Sequence, residues 1–125
     1  MLLRDIIILG IAGGLGTVSR FLLSGLTHRT FGEQLPWGTL AVNVIGCFLL
    51  AFLLEMGLAN AGREIRIAVA VGFLGGFTTF SAFGLETMNL LRSGAFALAA
   101  LNMFANVALG FGAVWLGFVS AKRFA

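Results

Sequence analysis

A cluster of glycine and threonine residues has the clearest chemical potential in this sequence. Gly75 and Gly76 are followed by Thr78 and Thr79 within an otherwise apolar stretch. Glycine disfavours a helix and threonine hydroxyls compete for backbone groups, so the sequence predicts an interrupted helix here. An interruption frees carbonyl oxygens, which in apolar surroundings must be buried in protein or bind an ion. The alternative is a continuous helix that is only kinked by packing.

Amide side chains in two other apolar stretches are the next candidates. Asn43 carries two N–H donors, which suit a small dehydrated anion, but a buried amide also serves to join helices by hydrogen bonds. Asn102 and Asn106 are followed by Gly110 at the same spacing of four residues, so all three share one helix face. This stripe predicts a helix interface or the wall of an ion pathway.

Two phenylalanines follow the threonines closely. Phe80 and Phe83 are three residues apart, so they lie on one face of the helix that follows the interruption. Aromatic rings in apolar segments commonly contact lipid or the protein core. The edge of a phenyl ring is electropositive, however, and can contact an anion. The polar neighbours Thr79 and Ser81 favour this second interpretation.

Two charged residues lie inside apolar segments, where an ionisable group is a candidate for a functional role. Arg20 lies near one end of the first apolar segment, and Glu86 lies well inside the third. Two alternatives are open for Arg20: it snorkels to the membrane surface, or it attracts anions at a vestibule. Glu86 would pair with Arg20 or line an aqueous entrance.

The composition defines the class of protein that must hold these residues in place. Of 125 residues, 59% are hydrophobic and 10% are charged, whereas soluble domains have about a quarter charged residues. A chain of this length cannot cover a water-exposed surface with so few charges. This excludes a soluble enzyme, a disordered tail and a nucleic-acid-binding module. We therefore predict an integral membrane protein surrounded by the lipid bilayer.

Residue counts also argue against catalytic and soft-metal chemistry. The single cysteine, Cys47, and the single histidine, His28, cannot supply an intrachain disulfide or a soft metal site. The sequence has no pattern of a catalytic triad, a paired-carboxylate site or a phosphate-binding loop. We predict that the protein is not an enzyme and binds no nucleotide.

Four apolar stretches are each long enough to cross a bilayer. They cover approximately residues 6–26, 37–56, 67–91 and 96–119. No stretch alternates as a membrane strand does, so the sequence predicts an all-α fold whose third helix is broken near its middle. Residues 1–125 would form a single four-span membrane domain.

The residues between and within the spans bear on orientation and assembly. An even number of spans places both termini on one side, with five Lys and Arg residues there and three on the other, a weak bias. Gly10 and Gly14, and likewise Gly72 and Gly76, have the spacing that lets helix backbones approach closely. Four helices leave little room for an enclosed polar pathway, so we expect an oligomer.

Three segments together resemble the fluoride channel family CrcB/Fluc, a group of small four-span membrane proteins. The segments are residues 13–21 (GGLGTVSRF), 37–46 (WGTLAVNVIG) and 72–83 (GFLGGFTTFSAF). They occur in the order and in the spans that the family has. The resemblance covers essentially the whole chain.

The resemblance implies a passive, fluoride-selective channel in the inner membrane of a bacterium. Family members are homodimers whose subunits insert in opposite orientations, with two pores along the subunit interface and a central Na⁺. The backbone carbonyls of Gly75 and Thr78 from both subunits would hold this Na⁺. No acidic residue lies within residues 72–83, and neutral oxygens suit a hard cation. Fluoride would leave the cell down its own gradient.

The resemblance also assigns residues to the fluoride pathway. The matched pore positions are Asn43, Phe80, Ser81 and Phe83. The matched vestibule positions are Arg20 and Glu86. The chain departs from the common family pattern at Ala82, where threonine is frequent, and at Gly84, where serine is frequent. Two hydroxyl groups of the polar track are thereby missing.

A small proton-coupled multidrug exporter with four helices is the main alternative. Such a transporter needs an acidic residue deep in its substrate chamber and aromatic walls that hold cations. Glu86 is the only candidate for that acid, and the chain has no tyrosine. A structural subunit of a larger membrane complex is the third alternative.

Overall fold

The computed structural model describes residues 1–124, which form helices and short connections without a β-strand. The helices are α1 (Leu2–Phe31), α2 (Trp37–Glu55), α3 (residues 63–77), α4 (Phe80–Arg92) and α5 (Phe96–Ala121). A short 3₁₀ turn, Leu58–Asn60, lies between α2 and α3. Within α3, an α-helical turn (Arg63–Arg66) leads into a π-helical segment (Ile67–Leu74) and a last turn (Gly75–Phe77).

Four stretches within residues 1–124 are long and apolar enough to cross a membrane. They are Leu2–Phe31, Trp37–Glu55, Arg63–Arg92 and Phe96–Ala121. The prediction of an all-helical protein with four spans is therefore confirmed. Three of the helical stretches extend beyond the apolar segments read from the sequence. A helix of 30 residues is about 45 Å long, whereas the hydrocarbon core is about 30 Å thick, so its ends reach the headgroup region.

Helix α1 packs closely against α3 through glycine. A Cβ atom at Gly16 would overlap the carbonyl oxygen of Phe73, and a Cβ at Gly76 would lie 2.5 Å from the carbonyl oxygen of Gly13. In contrast, Gly10 and Gly14 have open space around them in the protomer. The glycines of α1 that bring the two backbones together are therefore Gly13 and Gly16. They lie on a different face of α1 from Gly10 and Gly14, the pair with the expected spacing.

The π-helical segment of α3 lies directly on this contact. A π-helix is wider than an α-helix and commonly occurs at functional sites. A Cβ at Gly72 would lie 2.7 Å from the Cβ of Ala12, so Gly72 and Gly76 both face α1. A helix therefore packs closely on this glycine pair, as the sequence predicted, and that helix is α1.

Helices α2 and α5 form a second extensive helix pair. Their contact includes Ala51, which is 2% exposed and whose Cβ would lie 3.0 Å from a Cβ built at Gly117. At its end, a Cβ on Gly117 would lie 2.5 Å from the carbonyl oxygen of Phe48. Small residues allow van der Waals packing between helices that lipid would otherwise surround.

Two ion pairs join the start of α1 to the start of α3. Arg63 donates from Nη2 to Asp5 Oδ2 at 2.7 Å, and Arg4 pairs with Glu64. Asp5 is only 5% exposed, and a buried carboxylate is tolerated only when it is paired and hydrogen-bonded. These contacts hold the N-terminal end of α1 beside the loop that follows α2.

Candidate functional site

The backbone leaves the helical conformation at Thr78 and Thr79, between α3 and α4. Thr78 has φ −87° and ψ 159°, and Thr79 has φ −153° and ψ 117°, both extended. The Thr78 amide and hydroxyl both donate to the Leu74 carbonyl at 3.0 Å, which closes α3. The Thr79 hydroxyl accepts the Ala82 N–H at 3.2 Å and caps the start of α4.

Because of this geometry, two carbonyl groups lose the N–H partners that they would have in a continuous helix. In a continuous helix, the Gly75 carbonyl would accept the Thr79 N–H and the Thr78 carbonyl would accept the Ala82 N–H. Here the Thr79 N–H donates to Asn43 Oδ1 at 2.8 Å, and the Ala82 N–H donates to the Thr79 hydroxyl. The Gly75 and Thr78 carbonyls therefore need other partners.

Asn43 on α2 holds the interrupted backbone from the side. Its Oδ1 accepts the Thr79 N–H, and its Nδ2 donates to the Thr79 carbonyl at 3.1 Å. The second N–H of the Asn43 amide donates to Asn106 Oδ1 at 3.1 Å. Both donors that we expected to be available to an anion are therefore used within the protomer, because a buried amide must be hydrogen-bonded. An anion could reach one only by replacing a protein acceptor.

A chain of hydrogen bonds continues from Asn106 into α4, and we call it the amide ladder (Asn43, Asn106, Asn102 and Thr87). Asn106 Nδ2 donates to Asn102 O at 3.0 Å and to Asn102 Oδ1 at 3.1 Å. Asn102 Nδ2 donates to Thr87 Oγ1 at 2.9 Å, and the Thr87 hydroxyl donates to the Phe83 carbonyl at 2.7 Å. The ladder links α2, α5 and α4.

The polar stripe of α5 thus has two different roles. Asn106 and Gly110 line a cavity together with Asn43, whereas Asn102 is 2% exposed and lies behind Asn106. Thr87 is a member of the ladder that the sequence interpretation missed. The available signal was indirect: Asn102, a buried amide, needs a polar partner on a facing helix, and Thr87 is one of the polar residues of α4.

The phenylalanine pair borders the same cavity, which has a volume of about 240 Å³. The ring centroids of Phe80 and Phe83 are 5.5 Å apart, and the rings are tilted by 60°. Phe80 is 82% exposed on the protomer, so its ring projects from the helix surface. Cys47 also lines this cavity. The structure therefore brings the two phenyl rings and the amides of Asn43 and Asn106 to one cavity.

A second cavity, of about 340 Å³, lies on the other side of Asn43 and Phe80. Its lining includes the predicted cation-binding residues Gly75 and Thr78. Helix α2 comes close enough to form this wall because Gly46 has no side chain. A Cβ at that position would overlap Thr78 Cγ2. The two predicted ion sites are thus neighbours that share three lining residues, Asn43, Cys47 and Phe80.

Ser81 lies at the open end of this arrangement. It is exposed, and its hydroxyl oxygen is 3.3 Å from the Thr79 hydroxyl oxygen. Ala82 and Gly84 follow without hydroxyl groups, as the sequence indicated. The polar surface beside Phe80 is therefore formed by two neighbouring hydroxyls.

Glu86 has a partner that the sequence interpretation did not identify. Thr39 donates its hydroxyl to Glu86 Oε1 at 2.8 Å, while the buried Oε2 has no hydrogen-bond partner among residues 1–124. Both residues line a cavity of about 280 Å³ with His28. Thr39 precedes Asn43 by four residues, so the shared helix face was the signal that could have found it.

Of the two alternatives for Glu86, an ion pair with Arg20 does not occur in the described protomer, and Glu86 instead lines a cavity. Within the described part of the chain, the ion pairs join Arg4 to Glu64 and Arg63 to Asp5. Arg20 lies two helical turns before His28 on α1, and it is His28 at the helix end that faces the Glu86 cavity. Arg20 therefore remains a candidate for attracting anions by itself.

Metal ligands of the acidic or soft kind do not cluster at this site. Residues 1–124 contain no group of three or more His, Cys, Asp or Glu side chains placed to hold a metal ion. A cation near the interruption would have to use neutral oxygens. The carbonyls of Gly75 and Thr78 have the chemistry that a hard monovalent cation requires.

The fold and the site together define a multi-pass membrane protein in which an interrupted helix meets an amide and a phenylalanine pair. Residues 7–118 match the family model described as CrcB-like protein, Camphor Resistance (CrcB). The chain belongs to this family. The resemblance noted from three sequence segments is thereby confirmed.

Several relatives cover the chain almost completely. It is 44% identical over 123 residues to the fluoride-specific ion channel FluC of Geobacter sulfurreducens, covering 97% of this chain and 99% of that one. It is 45% identical over 117 residues to the protein of the same name from Opitutus terrae, covering 90% and 89%. A third, from Syntrophotalea carbinolica, is 43% identical over 120 residues, covering 94% and 98%. These relatives are ion channels, and the prediction that the chain is not an enzyme is confirmed by the family.

Proposed function

We propose that this protein is a passive, fluoride-selective channel that lets fluoride leave the bacterial cytoplasm across the inner membrane. The observation that carries the proposal is the meeting of Asn43, Asn106, Phe80 and Phe83 at one cavity beside the interrupted helix. The names of the relatives support fluoride as the ion. The ion would move down its own gradient, without nucleotide or proton coupling.

The chemistry of fluoride explains why such a lining is suitable. Fluoride is small and strongly hydrated, so it leaves water only where strong hydrogen-bond donors replace the lost hydration. The Asn43 N–H that now bonds to Asn106 Oδ1 is one such donor, and the Ser81 hydroxyl is another. The electropositive ring edges of Phe80 and Phe83 add weaker contacts. Larger anions would gain less from the same groups.

We propose further that two copies assemble in opposite orientations. Three features support a partner on this face: Phe80 is 82% exposed, Gly75 and Ser81 are exposed, and both site cavities are open. A second copy would close these cavities and would exclude lipid from the polar groups. The weak charge bias between the two sides is compatible with insertion in either direction.

We also propose a structural Na⁺ at the centre of this dimer. The Gly75 and Thr78 carbonyls of each protomer would supply its oxygen ligands, since their helical N–H partners are bonded elsewhere. Bound in a medium of low dielectric, the ion would provide fixed positive charge near the fluoride pathway.

Sodium is expected to stabilise the folded dimer. A ligand that binds only the native state adds about 2.7 kcal/mol to the free energy of unfolding at a concentration a hundredfold above its dissociation constant. We therefore expect a higher thermal unfolding midpoint for purified protein in sodium chloride than in N-methyl-D-glucamine chloride of equal ionic strength. Identical midpoints in the two salts would contradict the Na⁺ proposal.

The function is tested with liposomes that contain only the purified protein. Ion-selective electrodes follow the release of trapped fluoride and, in parallel, of trapped chloride. We expect rapid fluoride release and a much slower, measurable release of chloride. No fluoride release from folded, dimeric protein would refute the channel proposal.

A substitution at Glu86 separates the channel from the alternative exporter. An exporter would depend on protonation of this acid, so Glu86→Gln would abolish all transport. In a passive channel, Glu86→Gln leaves fluoride release measurable, because the substitution keeps the acceptor for the Thr39 hydroxyl. Wild-type protein that transports neither ions nor cationic drugs would instead favour a structural subunit.

A further inference from the structure

The amide ladder has a defined direction. At one end, the Thr79 backbone N–H can only donate, so the Asn43 group it contacts must be the oxygen. At the other end, the Phe83 carbonyl can only accept, so the Thr87 hydroxyl must donate to it. Every hydrogen bond between these two ends runs in the same sense, and the two backbone groups therefore fix the orientation of the whole ladder.

The same logic sets the amide orientation at each position. Because the Thr87 proton is used on Phe83, its oxygen accepts from Asn102 Nδ2, which turns Asn102 Oδ1 toward Asn106. Asn106 Nδ2 then donates to that oxygen and to the Asn102 carbonyl. The oxygen of Asn106 consequently faces Asn43. A reversed Asn106 amide would place one donor against another.

Two members of the ladder lie outside both ion cavities. Asn102 is 2% exposed and Thr87 is 7% exposed, and neither lines the cavities beside Asn43. They can influence an ion only through Asn106 and Asn43. Hydrogen bonds in a chain also polarise one another, so the donor strength of Asn43 depends on the bonds behind it.

We infer that Thr87 and Asn102 are positioning residues that set the fluoride preference of the pathway by fixing the orientation of the Asn106 and Asn43 amides. The inference rests on the proposed fluoride channel function. The Asn43 donor reaches fluoride only when the ion replaces Asn106 Oδ1 as its acceptor. A donor held in a fixed orientation then favours the small fluoride ion over chloride, because the smaller ion gains more from a short, well-aligned hydrogen bond. When the Thr87 hydroxyl is removed from the end of the ladder, the amides can reorient, and the preference for fluoride over chloride falls.

The test compares three threonine variants in the liposome assay. Thr87→Val removes the hydroxyl that anchors the ladder, and Thr87→Ser keeps it. Thr27→Val is the matched control: Thr27 is 8% exposed and donates to a carbonyl of its own helix, that of Ser24 at 2.9 Å, but has no bond to an amide side chain. Initial rates of fluoride and chloride release give the preference of each variant.

We expect Thr87→Val to lower the fluoride-to-chloride rate ratio about fivefold, the effect of roughly 1 kcal/mol for one hydrogen bond. Thr87→Ser and Thr27→Val should keep the wild-type ratio. An unchanged ratio in Thr87→Val, or an equal loss in Thr27→Val, would overturn the inference. Fluoride release by the wild type tests the channel proposal separately. If the wild type releases no fluoride, the channel proposal fails and this inference fails with it.

A second variant covers the case in which Thr87→Val does not fold. Asn102→Ala removes the same hydrogen bond from its donor side and should lower the ratio at least as much. If both single variants fold, the Thr87→Val/Asn102→Ala double variant should be no worse than Asn102→Ala alone, because both act through one ladder. Additive losses would show two independent effects and would contradict the ladder.

Discussion

Asn43→Ala is expected to reduce fluoride release from liposomes by about a hundredfold, which corresponds to about 2.7 kcal/mol in the barrier. The substitution leaves the Thr79 N–H, the Thr79 carbonyl and Asn106 Oδ1 without their partner. Each unsatisfied buried group costs about 1–3 kcal/mol. The Asn43→Ala substitution also removes the donor that would replace water around the ion. The release rate per dimer, measured with a fluoride electrode, checks the expectation.

Asn60→Ala is the control for this loss. Asn60 is exposed in the short turn between α2 and α3, and no side-chain hydrogen bond to it occurs within the described residues. It should conduct like the wild type. A folded Asn43→Ala dimer that releases fluoride at the wild-type rate would show that the amide lies outside the pathway and is dispensable for the interrupted backbone.

Gly16→Ala is expected to have the largest effect on folding. The added Cβ would overlap the Phe73 carbonyl oxygen and would also lie 3.0 Å from the Phe77 amide nitrogen. Both neighbours are backbone atoms of α3, so a side-chain rotation cannot relieve the contact. Overpacking of this kind costs about 1–3 kcal/mol, and here it also displaces the segment that leads into the interruption. The yield of folded dimer and its thermal midpoint measure the loss.

Gly10→Ala lies in the same helix and should have the opposite effect. No atom lies within 4 Å of a Cβ built at Gly10 in the protomer. Alanine is more favourable than glycine in a helix by about 1 kcal/mol, so the variant should be as stable as the wild type or more so. Equal stability of the Gly16→Ala and Gly10→Ala proteins would contradict the close contact between α1 and α3.

Several features of this protein could be read directly from its sequence. The low fraction of charged residues and four long apolar stretches determined the class and the number of spans, because lipid acts on each stretch independently of the others. The glycine and threonine residues at 75–79 marked where a helix is disfavoured, because propensity is a local property. The segments around Asn43 and Phe80 were specific enough to identify the family.

The helix ends and the glycine contacts required the tertiary structure. Hydropathy detects the part of a helix that lies in lipid, whereas backbone hydrogen bonds continue beyond it, as at both ends of α1. The spacing of Gly10 and Gly14 was suitable for close packing, yet the face that meets α3 carries Gly13 and Gly16. Spacing gives a helix face, but only the neighbouring helix decides which face is used.

The sequence by itself thus determined which polar groups lie in the membrane, and only the tertiary structure decided how those groups are paired. Asn43 bonds to residues 36 and 63 positions away, and Glu86 bonds to Thr39, 47 positions away. A buried polar group must find a partner, so the sequence guarantees that some bond forms. Which bond forms depends on the rotation and depth of each helix, and these are set by packing across the whole bundle.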